Sequence, residues 1–169
     1  MTLEEVYNRA ERKHGMQLTE WSLGPFFRFS ARRTKPFSSE QEKDKDMGYC
    51  AGYVLPMTRV VHIDALEVAR AARDDATNSL ALGLSVTLGA AFLCRARSRG
   101  SRTARILAIE DDAYTHARLV KYYETLGFRV VREATMADML VWGGRGAIME
   151  ASVDTVLARW ARFFRRRER

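Results

Sequence analysis

Cysteine and histidine are scarce in this chain of 169 residues. The two cysteines, Cys50 and Cys94, stand far apart, with no metal-ligand spacing and no histidine motif beside them. That excludes a disulfide-stapled scaffold and a zinc module, and reads as two buried thiols in a reducing compartment. The three histidines, His14, His62 and His116, have no partner at ligand spacing, so neither a metal site nor a Ser-His-Asp arrangement is expected. Long hydrophobic runs are missing too. The uncharged stretch from Ser79 to Cys94, sixteen residues, falls short of the roughly 20 that a bilayer requires. The start, Met1-Thr-Leu-Glu-Glu, is acidic, whereas secretory and organelle-targeting segments are basic or poor in acid. No signal peptide is expected, and an organelle protein would have its targeting segment outside this sequence. No internal repeat is visible.

What remains is an ordinary soluble composition, 47% hydrophobic and 29% charged. The length suits one domain, residues 1–169, with one core. The net charge of +7 is uneven. Residues 151–169 carry six arginines against Asp154 and Glu168, a balance of +4, and the first 150 residues carry the other +3. The C-terminal segment therefore reads as a basic amphipathic helix. Val153, Val156, Leu157, Trp160, Phe163 and Phe164 form its stripe. Such an end suits an acidic protein surface or a larger assembly, with Phe163 and Phe164 as the anchor. On that expectation, removing the end leaves stability nearly intact. A nucleic-acid module is disfavoured, because the basic residues are not interleaved with aromatics.

The rest of the chain is organised around Ile106 to Phe128. Ile106–Ile109 is an apolar run too short for a helix and fits a strand covered on both faces. Glu110, Asp111 and Asp112 follow, where acidic groups meet the positive end of a helix dipole. Leu119, Tyr122, Tyr123 and Leu126 mark the apolar side of that helix. Gly127 is its left-handed stop, and Phe128, Val130 and Val131 begin a further strand. Upstream, Thr2 with Glu5 is a capping box for a short helix ended by Gly15. Leu18–Arg33 is extended and interrupted at Gly24-Pro25. Residues 34–48 form a solvated loop, and 49–56 a strand. Residues 70–78 are a polar connection leading into a helix over Ser79–Arg97. Met139–Val141, or a little beyond, reads as a last strand, and a hairpin with Phe128–Arg132 follows from that.

The strand over Arg59–Ala69 carries an irregularity. Ile63 and Leu66 are three residues apart, yet Leu66 and Val68 are two apart. For all three to face the core, one residue must be absorbed in a β-bulge. Strands alternating with crossover helices make the fold class α/β with a mixed sheet.

Tyr123-Glu-Thr-Leu-Gly127-Phe128 resembles the Tyr-x-x-x-Gly-Phe signature of the GNAT superfamily of acyl-CoA-dependent N-acyltransferases. The stretches LVKYYETLGF, MLVWGGRGAIMEA and GPFFRFSAR are similar to those of GNAT-like proteins of plants, algae and cyanobacteria, and the resemblance spans residues 17–160. It implies a central mixed sheet with a V-shaped split, helices on both faces, and a C-terminal hairpin. It implies transfer of an acetyl group from acetyl-CoA directly to an amine, with Tyr123 as general acid to the departing thiolate. The bulged strand would open a slot beside Leu66 and Val68 for the cofactor's pantetheine arm. Asp64 or Glu67 would be a water-relay base, with Glu67 preferred. His116 stands seven residues before Tyr123, where the family often has an asparagine on the cofactor. The pyrophosphate loop would align with Leu80-Ala-Leu-Gly83-Leu-Ser85, keeping Gly83, Leu84 and Ser85 as cofactor contacts. It lacks the family's basic or amide residue and its second glycine. Arg145 is read as a hairpin residue. The resemblance also suggests a plastid setting, and the incomplete phosphate loop with the basic aromatic C-terminal end favours an alternative role as a non-catalytic GNAT-fold subunit of a larger assembly.

Overall fold

The computed structural model describes residues 1–34, 46–55, 57–69 and 79–166. The expected loop over 34–48 and the connection over 70–78 lie mostly outside these residues. The elements run α1 (Leu3–His14), β1 (Met16–Leu23), β2 (Phe26–Arg33), β3 (Gly48–Val54), β4 (Val60–Val68), α2 (Ser79–Ser98), β5 (Thr103–Ile109), α3 (Ala113–Leu126), β6 (Arg129–Glu133), α4 (Met136–Trp142), β7 (Gly146–Ser152) and α5 (Val153–Arg166). The seven strands form one sheet in the order β1-β2-β3-β4-β5-β7-β6. The pair β4–β5 is parallel, and the other neighbours are antiparallel.

Local chemistry sets most boundaries. The Thr2–Glu5 capping box opens α1, and Gly15 at φ 57° closes it. Asp112 caps α3 by accepting from the Thr115 amide, and Gly127 at φ 107° ends it. Gly24, at φ 56°, lies in the tight turn between β1 and β2.

The sheet has two unlike faces. One carries Phe27, Phe29, Ala31, Cys50, Val61, Ile63, Ala104, Ile106 and Ala108, all buried. Against it lies α2, whose Phe92 stacks on Phe27 at 4.3 Å between ring centroids. A Cβ on Gly52 would stand 2.9 Å from the same Phe92 ring. Helices α1 and α5 pack on α2, which explains an apolar helix with no polar side. The other face carries Trp21, Leu23, Phe26, Arg28, Tyr49, Tyr53 and His62, and α4 reaches it through Trp142. Helices thus flank both faces, but unequally.

Two expectations need correction. Met139–Val141 is helical. Thr135 and Asp138 make a second capping box, and Gly143 at φ 73° closes α4. The strand that pairs with β6 comes later, as Gly146–Ser152. Its Ala147, Ile148 and Met149 are buried, whereas Leu140 and Val141 are exposed. A hairpin through α4 replaces the tight one.

The second correction concerns the C-terminal end. Phe164 is 7% exposed and belongs to the core, with the Arg9 guanidinium 4.2 Å above its ring. Phe163 is half-buried, so the two rings are not a free anchor. We expect Phe164→Ala to lower folding stability by about 2–4 kcal/mol. Urea denaturation measures this, and an unchanged midpoint would return Phe164 to the surface.

Candidate active site

The bulge in β4 is the origin of the site. Against β3, Ala51 pairs with Ala65 but Gly52 pairs with Ile63, so Asp64 is the extra residue. On its other edge β4 pairs with β5 from Val60–Thr103 to Ile63–Ile106 and no further. From Asp64 to Val68 the strand keeps β3 and loses β5. The two parallel strands part, and the edge of β4 that faces β5 has no ladder partner over these residues.

Leu66 is half-buried and Val68 is buried. Both point to the helix-covered face, as their register opposite Cys50 and Gly48 requires. Tyr123 is on that same side. It is 8% exposed, and Cys50 is near enough to bear on its acidity. Burial is the main cause that pushes the Tyr123 phenol up to about 12, with Tyr122 and Cys50 adding to it. The hydroxyl therefore holds its proton at neutral pH. Its helix is anchored at the start by His116, whose Nδ1–H donates to the Ile109 carbonyl at 3.2 Å. His116 thereby ties α3 to the end of β5.

Glu67 lies on the opposite face. Its Oε1 accepts from the Tyr49 hydroxyl at 2.8 Å. That bond is the first cause raising the Tyr49 phenol, and burial adds to it. Tyr123 and Glu67 thus flank the parted strands from opposite sides. Arg145 is exposed, and its carbonyl accepts from the Glu110 amide at 2.8 Å.

Gly83, Leu84 and Ser85 are not in a turn. They are buried within α2, past its first turn, where backbone amides serve the helix itself. The Gly83 carbonyl also accepts from the Thr87 hydroxyl at 2.7 Å. The amides without an intrahelical acceptor are those of the first turn, residues 79–82. A diphosphate at this helix start would meet them rather than Gly83–Ser85. The unpaired β4 edge leaves strand N–H and C=O groups that an extended, amide-bearing ligand would satisfy.

Sequence reasoning missed His62 as more than an isolated histidine. It is 4% exposed, and neither ring nitrogen has a hydrogen-bond partner. It stacks on Tyr53 at 4.9 Å and 2°, and Trp142 meets its other side at 4.9 Å. Its position opposite Tyr53 follows from β3–β4 register, which composition does not reveal. No metal-ligand group of three occurs among the described residues. No described helix is long and apolar enough to cross a membrane.

No family model matches the chain, and no curated protein matches it. Solved structures do. One is a structure assigned as a GNAT-family acetyltransferase from Desulfovibrio desulfuricans, at 19% identity and TM-score 0.52, over 76% of this chain and 70% of that one. Another is a spermidine N-acetyltransferase chimera from Vibrio cholerae and hSSAT, at 14% identity and TM-score 0.52, over 92% and 78%. A third is assigned as an acyl-CoA N-acyltransferase from Klebsiella pneumoniae, at 16% identity and TM-score 0.51, over 89% and 84%. The chain has the GNAT fold.

Burial pushes the His62 imidazole down to about 4, helped by the positive charge of Arg105 and opposed by Glu150. A depressed base contributes stability that is present above its unfolded value. That contribution is lost as pH falls from about 6.5 towards about 4, by at most ~1.4 kcal/mol per pH unit. Urea denaturation between these pH values should show this slope, and His62→Phe should flatten it. An equal slope in the variant would mean that the ring is already solvated.

Proposed function

We propose that the protein is an N-acyltransferase that moves an acetyl group from acetyl-CoA directly to an amine. The observation that carries this reading is the parting of β4 from β5 at Asp64, with the buried Tyr123 phenol beside the gap. The thioester supplies an activated acyl carbon. The unpaired β4 edge, Asp64 to Val68, would hold the arm, with Leu66 and Val68 as its apolar wall and the first turn of α2 facing the phosphates. Tyr123, kept protonated by burial, donates its hydroxyl proton to the departing sulfur. Glu67 on the far face accepts a proton from the amine, directly or through water. His116 holds α3 against β5 and so keeps Tyr123 at the gap.

Calorimetry with acetyl-CoA tests the binding step. Tyr123→Phe should leave that affinity nearly unchanged and lower turnover by roughly 10²–10⁴-fold. Unchanged turnover would remove Tyr123 from the mechanism.

One observation favours a second reading, a non-catalytic GNAT-fold subunit of a larger assembly in a plastid. Gly83–Ser85 form no phosphate cradle. A groove of about 650 Å³ between α1 and α5 is lined by Arg9, Arg12, Lys13 and Arg165. It would offer an acidic protein surface a place to dock in place of the Phe163–Phe164 end. Failure of acetyl-CoA to bind the intact chain would select this reading.

A further inference from the structure

Three loops meet at the end of the sheet where β4 and β5 begin, the end away from the parted strands. The Val54 amide donates to the Pro25 carbonyl at 3.0 Å, which ties the end of β3 to the β1–β2 turn. The Arg102 amide donates to the Arg59 carbonyl at 2.7 Å, which ties the α2–β5 loop to the β3–β4 loop. Arg99 closes the set. Its guanidinium donates to the Gly24 carbonyl at 2.9 Å and to the Ser22 hydroxyl at 2.6 Å.

This end is apolar and basic at once. Trp21, Leu23, Phe26, Leu55 and Met57 are exposed on it, and Met57 stands fully outside. Leu23 and Phe26 face each other across the β1–β2 turn. Met57 and Arg59 both have left-handed backbone, at φ 69° and 54°, so the β3–β4 loop accepts strain at two non-glycine residues to keep its shape. Residues 21–28, 53–61 and 96–103 carry five arginines and no Asp or Glu. Arg28 is met by Asp46, and Arg97 and Arg102 lie 3.5 Å and 3.9 Å from Asp154. Arg59 and Arg99 are exposed, and among the described residues neither forms an ion pair.

We propose that this end docks on an anionic lipid bilayer, with the tips of the β1–β2 and β3–β4 hairpins dipping into the headgroup layer. Two features favour a bilayer over a protein surface. The apolar side chains stand on projecting turns rather than in a groove, and a turn enters a lipid surface without a shaped counterpart. The charge around them has one sign, and an anionic leaflet matches it. Leu23, Leu55 and Met57 form the inserted part. Trp21 lies two residues back along β1, at the depth where an indole favours the interface. Arg59, Arg99 and Arg102 then lie level with the lipid phosphates. Insertion is shallow, because the N–H and C=O groups of the turns must stay hydrated. The proposal does not depend on the acyl-transfer reading, and it leaves the parted edge of β4 at the far end of the strand.

The test is flotation of the full chain with vesicles of phosphatidylcholine alone and of phosphatidylcholine mixed with phosphatidylglycerol, alongside tryptophan fluorescence. Binding to the mixed vesicles and little to phosphatidylcholine alone is expected, with a blue shift that Trp21→Phe abolishes. Met57→Asp puts a carboxylate on an exposed tip and should release the protein. Arg59→Gln together with Arg102→Gln should weaken binding by roughly 10- to 50-fold, at about fivefold for each cation. An unchanged urea midpoint shows that each variant is folded. Arg12→Gln together with Lys13→Gln, in the groove between α1 and α5, should leave binding as it was. No flotation with the mixed vesicles, flotation without the Trp21 shift, flotation that a folded Met57→Asp retains, or flotation lost in the Arg12 and Lys13 variant overturns the inference. So does self-association of the chain that Met57→Asp abolishes without any vesicle binding, which would make this end a contact between protein copies.

Discussion

The extra residue in β4 is the constraint on which the rest depends. A regular strand would pair with β3 and β5 along its whole length. Asp64 breaks that symmetry, because one strand cannot keep register on both edges through a bulge. The β3 edge retains its ladder to Val68, and the β5 edge gives way after Ile63. Two glycines of β3 show how the retained edge is held. A Cβ on Gly52 would lie 1.9 Å from the His62 carbonyl oxygen, and one on Gly48 would lie 2.6 Å from that of Glu67. Both contacts are with backbone, so neither can relax by a rotamer change. At Gly48 and Gly52 the strands approach as closely as they do because neither position carries a side chain. The gap on the other edge is the counterpart of that closeness.

The unequal covering of the sheet follows from where the apolar surface is. Helix α2 is apolar through Leu84–Cys94 and is enclosed by the sheet, α1 and α5. Its C-terminal end is polar and is fixed to the β1–β2 hairpin: Arg95 binds Glu20, and Arg99 donates to the Gly24 carbonyl at 2.9 Å. The core is therefore built on one side. Among the described residues, the helix on the other side is α4, seven residues long with none of them buried. On that side Trp21, Leu23, Phe26, Asp64 and Glu67 are exposed, Tyr49 and Tyr53 half-buried, and His62 buried.

What the sequence shows well is what local chemistry decides. The capping residues, the stop at Gly127 and the spacing of Ile63, Leu66 and Val68 each state a backbone geometry, and the structure has all of them. The misreadings share a cause as well. Met139–Val141 looks extended because its apolar residues are contiguous. The Thr135–Asp138 box that makes it helical lies just upstream, outside the apolar run. The helix start at Ser79 agrees with the sequence, and Gly83, which the family resemblance aligns with a phosphate loop, lies one turn inside that helix. Tyr49, Tyr53 and His62 alternate correctly in the sequence. Which set of an alternating strand faces solvent depends on the side that α2 covers, and that is a tertiary fact.

The two faces of the gap also differ in physical environment, and the proposed transfer uses that difference. A proton donor to a thiolate must stay protonated at neutral pH, and apolar surroundings do this for a phenol by disfavouring its anion. Tyr123 has those surroundings on the helix-covered face. Glu67, the proposed acceptor of the amine's proton, instead stands exposed on the open face and accepts from the Tyr49 hydroxyl. A sheet that parts at one bulge sets the two groups in unlike surroundings while leaving a passage between, so one irregularity in one strand accounts for both the opening and the difference between its two sides.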